Sequence, residues 1–276
     1  MKFTNTKVIL TGSIIQVYQY ADKSLAYGSY VSGRNKAGRK IDVIDEASKL
    51  RKAESRKKSK QRSGVRFREL IISNAWHWVD PFGNPYAPIF ITFTFENDIR
   101  DVGIANAYFS CFINRLNRKV FGGSRRCNLK YVSVIEFQDL NRDGVVHYHT
   151  IFFNLPINDT DILFKLWGHG FITKMELKEL DEIESVGMYA SKELSADNND
   201  DRLDGRKHYF SSRGLFKPIK VRDQSQAQAI VELIPKECMV RKCVFGGYQG
   251  RVEHACYHLN KGENMDSIIN KLTNII

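Results

Sequence analysis

The chain has 276 residues, with 42 lysines and arginines against 31 aspartates and glutamates, a formal charge of +11. Hydrophobic residues make up 42% and aromatics 12%, enough to build a core, which excludes a chain disordered throughout. The longest apolar stretch, 88–95, is too short for a membrane span and is broken by Thr92 and Thr94, and the N-terminus lacks the apolar run of an export signal.

Cys111, Cys127, Cys238, Cys243 and Cys256, few and odd in number, read as reduced thiols in a cytoplasm. The positive excess points to a polyanionic partner, most simply nucleic acid.

In chain order, 7–20 and 25–31 are strand-like runs separated by the polar Ala21-Asp22-Lys23-Ser24, which predicts a hairpin. In 49–68 ten of twenty residues are Lys or Arg, with few apolar side chains to bury. This segment is expected to be helical or disordered on its own and to gain most beside phosphates, through counterion release; a solvated charged helix is the plainer reading. Residues 89–95 are β-rich, and Val102, Ala105, Phe109, Phe112, Ile113, Leu116 and Val120 then recur at helical spacing up to Gly122-Gly123. Two further strands, 131–137 and 145–153, flank a polar loop at 139–144. Thr160-Asp161 is expected to cap a short helix through Trp167, which Gly168 and Gly170 stop before a fourth strand at 171–177. A last helix covers 182–194.

The order β-α-β-β-α-β-α predicts an α+β, ferredoxin-like split βαβ fold with a central antiparallel sheet, its first and third strands in the middle. The predicted domains are an N-terminal hairpin and basic extension (1–65), the βαβ domain (66–218), and a C-terminal strand and helix tail (219–276) packed on it. An acidic loop lies at 196–203, a basic-aromatic stretch at 206–220 and an amphipathic end near 268–276.

His147 and His149 lie two apart in the third strand, so they emerge on one face, near enough to bind one metal. The partner strand carries Glu136 and Gln138. If 139 pairs with 144, Glu136 lies opposite His147 and a carboxylate joins the imidazoles; a one-residue slip would send it to the other face. Two histidines and one oxygen ligand also describe a non-haem iron oxygenase, and two histidines on an apolar strand can be purely structural. Along 182–194, Ile183, Val186, Ala190 and Leu194 line one face, while Tyr189 and Lys192 share a more exposed one. A Tyr beside a Lys suits covalent phosphoryl chemistry, because a phenol with pKa near 10 needs a cation to favour its ionised form.

The ordered set Phe90-Ile91-Thr92-Phe93-Thr94-Phe95, Glu136-Phe137-Gln138, His147-Tyr148-His149 and Tyr189-Ala190-Ser191-Lys192 resembles the three motifs of HUH endonucleases that initiate rolling-circle replication. Leu166-Trp167-Gly168-His169-Gly170-Phe171 and Tyr209-Phe210-Ser211-Ser212-Arg213-Gly214-Leu215 bring it closer to the replication-associated proteins of bacterial plasmids and small single-stranded DNA phages. The likeness covers roughly residues 66–218.

The resemblance implies a nickase for single-stranded origin DNA. His147, His149 and Glu136, or else Gln138, would hold Mg²⁺ or Mn²⁺ against the scissile phosphate. Tyr189 would attack and keep the 5′-phosphate, freeing a 3′-hydroxyl, with Lys192 positioning the phosphate, and strand transfer would need no nucleotide cofactor. Two departures stand out: Glu136 precedes His147 by eleven positions, so the hairpin loop must absorb extra residues, and no second Tyr or Lys repeat follows Lys192. Within the same nuclease class a relaxase or single-tyrosine transposase is the competing reading, and outside it a non-catalytic nucleic-acid-binding module. Without a G-x-x-x-x-G-K-[ST] phosphate loop, unwinding would fall to a host helicase, and synthesis to a host polymerase, in the cytoplasm of a bacterial cell.

Arg125, Arg126, Arg206, Lys207, Arg213 and Lys217 are candidate DNA contacts, with Tyr209 and Phe210 available for stacking on bases. Cys238, Cys243, His254, Cys256 and His258 match no common zinc spacing. His77, His169 and His208 read as packing or rim residues.

Overall fold

A computed structural model describes residues 2–21, 25–27, 46–123, 127–194, 202–203, 206–207, 209–247, 250–259 and 270–271. The chain divides into two compact units, one made of 1–43 and 217–276, the other of 44–216.

The first unit opens with β1 (Lys2–Thr4), β2 (Thr6–Thr11), β3 (Ile14–Tyr20) and β4 (Leu25–Tyr27), with β1 paired to β4 and β2 to β3. The run at 7–20, expected to be one strand, is itself a hairpin. Thr11 pairs with Ile14 across Gly12-Ser13, where Gly12 takes φ 58, a conformation open mainly to glycine. Residues 28–31 of the second expected strand lie outside the described residues.

The second unit contains α1 (Glu46–Asn74), β5 (Ile89–Thr94), α2 (Val102–Phe121), β6 (Tyr131–Gln138), α3 (Asp139–Arg142), β7 (Val145–Phe152), α4 (Thr160–Trp167), β8 (Ile172–Glu176), α5 (Leu180–Ala190) and β9 (Tyr209–Ser211). Its sheet has the order β8-β5-β7-β6-β9, and all neighbours are antiparallel. The first four strands thus take the order 4-1-3-2 of a split βαβ, with β5 and β7 central as expected. One face packs Ile91, Phe93, Ile135 and Tyr148 against Phe109, Phe112 and Leu116 of α2 and Leu163 and Trp167 of α4. The other packs Val132, Val134, Ile151 and Phe153 against Phe67 and Ile71 of α1 and Ile183, Val186 and Ala190 of α5.

Three local details differ from expectation, each for a physical reason. The basic run at 49–68 does find apolar burial, because α1 continues to Asn74 and Phe67 and Ile71 carry it into the core. The cap of α4 is Asp159, whose carboxylate accepts from the amides of Asp161 and Ile162. A Glu179–Glu182 capping box starts α5 earlier than 182, and the helix ends at Ala190, leaving Lys192–Leu194 as a separate 3-10 turn.

After β9 the chain returns to the first unit through β10 (Ile219–Val221), α6 (Gln224–Leu233), β11 (Met239–Gly247) and β12 (Gly250–His258). The sheet there has the order β10-β2-β3-β12-β11, with Val8, Ile15, Val17 and Val221 packed on Ala227 and Ile230 of α6. An isolated two-stranded hairpin is marginal in water, and the tail's strands extend this one on both sides. The partition into 1–65, 66–218 and 219–276 is therefore redrawn: the hairpin and the tail share a sheet, and the basic helix joins the βαβ unit. The amphipathic end at 268–276 lies outside the described residues apart from 270–271.

Candidate active site

Cα partners run Thr94–His147–Glu136 and Thr92–His149–Val134 across β5, β7 and β6. This is the register the loop count predicts. Alternation puts Thr92, Thr94, Glu136, Gln138, His147 and His149 on one sheet face. The extra loop residues are absorbed by one helical turn, α3, followed by two left-handed residues, Asp143 (φ 48) and Gly144 (φ 81). Two arginines pin that turn. Arg142 donates to the Phe95 and Glu96 carbonyls at 2.5 and 3.1 Å and to the Asp98 carboxylate at 2.6 Å. Arg202 forks onto Asp139 at 2.8 and 2.7 Å and lies 3.8 Å from the Phe137 ring centroid.

His149 is held at both nitrogens, Nε2 lying 2.5 Å from Glu136 Oε2 and Nδ1 3.0 Å from Thr92 Oγ1. Phe90 stacks on its ring, with centroids 5.7 Å apart and planes at 15°. The hydrogen bond from His149 holds the Glu136 carboxyl below its usual range, against the opposing effect of burial. His147 is only 3% exposed, and its Nε2 is buried without a hydrogen-bond partner among the described residues, as is Gln138 Oε1. Burial first, then the charges of His149 and Arg142, push the His147 pKa down to about 4, against the pull of Glu136.

The His147 shift makes a pH prediction. Unfolded His147 titrates near 6.5, so between there and about pH 4 the unfolded chain binds more protons and folding loses stability as pH falls. A shift of that size corresponds to about 3 kcal/mol, and Glu136, also lowered, adds loss of the same sign at more acid pH. Urea denaturation of the metal-free protein should weaken from pH 7 to pH 4.5, and His147→Gln should flatten that dependence; equal slopes would contradict it.

Tyr189, in the last turn of α5, meets this face. Its ring is edge-on to His149 at 5.2 Å and to Phe90 at 6.4 Å, and 45% of the residue is exposed. Lys192 stands in the turn after the helix, not on it, with Nζ 5.6 Å from the Tyr189 ring centroid. Between them Ser191 is buried, donating to the Met188 carbonyl at 3.0 Å and accepting from Arg68 of α1 at 3.1 Å. The structure thus gathers His147, His149, Glu136, Gln138, Tyr189 and Lys192 into one region. Residues that could hold a cation there are the two histidines, Glu136 and Gln138. As the side chains stand, Glu136 closes onto His149, and no group of three or more His, Cys, Asp or Glu among the described residues is arranged as a metal cluster.

Thr92, Phe90, Arg142, Arg202 and Arg68 escaped the sequence reading. Alternation in 90–94 carried a signal for the first two; the arginines carried none, because their partners are distant in the chain. Arg206, Lys207 and Arg213 are exposed on the second unit, and Lys217 is exposed on the first. Tyr209 is half-buried against Phe67 (5.5 Å, edge-on), and Phe210 packs on the opposite core, so neither ring stands open for stacking. Arg125, Arg126 and His208 lie outside the described residues. His77 packs on Phe216 and His169 on Tyr108. In the first unit Cys243 faces His254 across the β11–β12 pair, with Sγ and Nδ1 3.8 Å apart.

Comparison with known families adds one observation. Residues 88–198 match the family model of the ORF2-type replication-associated protein. That span holds β5 through α5 and every residue just gathered except Arg68 and Arg202. The match supports a replication-initiator family, a role in DNA replication and an interaction with origin DNA. No curated protein and no solved structure matches the chain. Among the described residues no helix is long and apolar enough to cross a membrane.

Proposed function

We propose that the protein is a metal-dependent HUH endonuclease that nicks single-stranded origin DNA through a 5′-phosphotyrosine and rejoins it during rolling-circle replication. The observation that supports this most is the Tyr189 ring lying edge-on to His149, on the face where His147, Glu136 and Gln138 converge.

The donor set fits Mg²⁺ or Mn²⁺. It offers two imidazole nitrogens and carboxylate and amide oxygens, and two of those atoms, His147 Nε2 and Gln138 Oε1, are buried with no hydrogen bond among the described residues. Such atoms are costly to bury unsatisfied, and a cation bound beside His147 would give its Nε2 a partner. A bound ion would polarise a phosphoryl oxygen of the scissile group. The remaining chemistry belongs to the chain. His147, neutral well below pH 7, keeps its lone pair available. Thr92 can donate to or accept from Nδ1 of His149, so it can set which ring nitrogen carries the proton. Tyr189 gives up its phenolic proton to solvent, its Oη attacks the phosphorus in line, the P–O3′ bond breaks, and the 3′ oxygen takes one proton from solvent to leave as a hydroxyl. Lys192, with Nζ 5.6 Å from the Tyr189 ring centroid, would supply the ammonium that balances charge on the phenolate and phosphate. The phosphotyrosine conserves the energy of the broken phosphodiester for rejoining.

A second reading takes support from the Glu136–His149 hydrogen bond, in which the two groups satisfy each other without a cation. On that reading the protein is a non-catalytic DNA-binding module. Incubating the protein with Mn²⁺ and single-stranded DNA of its own replicon separates the two. The nickase gives an SDS-resistant protein–DNA adduct that EDTA and His147→Ala both remove, whereas tight binding with no adduct on any segment selects the module. An adduct formed on a transfer-origin or transposon-end strand instead would select a relaxase or a single-tyrosine transposase. Thr92→Val should weaken Mn²⁺ binding about 10- to 100-fold by calorimetry, since partners that orient a ligating His carry that much affinity; unchanged affinity would remove Thr92 from the site.

A further inference from the structure

The two halves of α1 behave differently. Lys60, Gly64, Phe67 and Ile71, spaced four, three and four apart, form its buried stripe. This stripe meets α5 in antiparallel order: a side chain on Gly187 would touch Ile71 and Arg68, Arg68 reaches Ser191, and a side chain on Gly64 would touch Leu194. Residues before Gly64 therefore lead away from the C-terminal end of α5, the end that carries Tyr189 and runs into the turn of Lys192. Every described side chain in 50–59 is exposed, as are Gln61 and Arg62. Residues 50–62 hold seven lysines and arginines against Glu54, a net +6. Lys58, Arg62 and Arg66 follow one another at i, i+4, a spacing at which like charges repel. This stretch is held as helix by its continuity with the packed half and has almost no apolar surface of its own, so a polyanion along it would relieve the repulsion.

We propose that residues 50–62 of α1 bind the phosphate backbone of single-stranded DNA flanking the scissile phosphate, along a track of roughly 18 Å. The choice of a single strand rests on the nickase reading, in which the DNA at Tyr189 is unpaired where α1 sets out.

The test uses the whole chain, fluorescein-labelled single-stranded oligonucleotides and anisotropy across a NaCl series. One oligonucleotide carries only the cleavage region; the other adds a flank of about ten nucleotides, within the span such grooves cover. K57Q/K58Q/R62Q should lower the slope of log affinity against log salt by about 2 on the flanked strand, at about 0.7 for each phosphate no longer neutralised. Affinity for that strand should fall at least tenfold at low salt, while binding and nicking of the short strand stay at wild-type level. Circular dichroism checks that the variant is folded, and K58Q alone, with a slope change of about 0.7, serves if the triple variant is not. An unchanged slope on the flanked strand, or a loss confined to duplex DNA, overturns the proposal. A wild type that binds the flanked strand through these lysines but forms no adduct keeps this surface and sinks the nickase reading instead.

Discussion

Tyr189→Phe is expected to abolish covalent attachment to single-stranded DNA, by about 10³-fold or more, while leaving DNA affinity unchanged and the fold intact. Removing the attacking oxygen leaves no route to a phosphotyrosine, and loss of a nucleophile is among the largest single-residue effects known in enzymes. The substitution is otherwise small. The Phe ring keeps the edge-on contacts to His149 at 5.2 Å and Phe90 at 6.4 Å, and the position is 45% exposed, so no buried cavity opens. A gel of adducts under SDS, beside an anisotropy titration, reads both halves of the statement. An adduct that survives the change places the nucleophile elsewhere, and mass spectrometry of the trapped peptide would then identify it.

Gly170→Ala should be the most destabilising single-methyl change in the βαβ unit, costing about 3–5 kcal/mol and about 10 °C or more in Tm. Gly170 has φ 146, and a Cβ there would fall 2.4 Å from both the Glu96 nitrogen and the Thr94 oxygen, which are backbone atoms that cannot swing aside. The same segment is tied to the end of β5 by Glu96 N–H donating to the His169 carbonyl at 2.7 Å and Thr94 N–H to the Phe171 carbonyl at 2.9 Å. Trp167 Nε1 donates to the Thr94 carbonyl at 2.9 Å. Making room for a methyl breaks this ladder at Thr94 itself, the Cα partner of His147. Gly168→Ala is the control: φ is 66, but a Cβ would meet only the Lys165 carbonyl at 3.6 Å, so about 1 kcal/mol is expected. Equal melting of the two variants would contradict the close approach.

The candidate face was legible because its information is local. Period-two alternation fixes which of Glu136, Gln138, His147 and His149 share a face, and the length of the 139–144 loop fixes which residues oppose each other. The helical spacing of α2 and the Gly168 stop were legible for the same reason. What failed was either masked or distant. Gly12-Ser13 turns the chain inside a run so rich in β-formers that the turn did not stand out. Phe67 and Ile71 sit at the far end of a basic run whose charge dominated the reading of α1. Pairing of β3 with β12, the fork of Arg202 on Asp139 and the bond from Arg68 to Ser191 join positions 63 to about 240 residues apart, and no periodicity within one segment encodes such a partner.

That β3–β12 ladder also sets an order of events during synthesis. Ile14 pairs with His258 and Tyr20 with Val252, so β3 must wait for some 230 residues to emerge, roughly 10–50 s at bacterial to eukaryotic elongation rates. Meanwhile the whole βαβ unit, 44–216, is translated, with all five strands of its sheet inside it. The β2–β3 hairpin, with Val8, Ile15 and Val17 awaiting Ala227 and Ile230, spends that interval as an uncovered edge open to pairing with other nascent chains. A ribosome that stops before β12 would release a chain whose βαβ unit is complete and whose first strands are sticky, so premature termination near the end should show as aggregation rather than as loss of the nuclease-like fold.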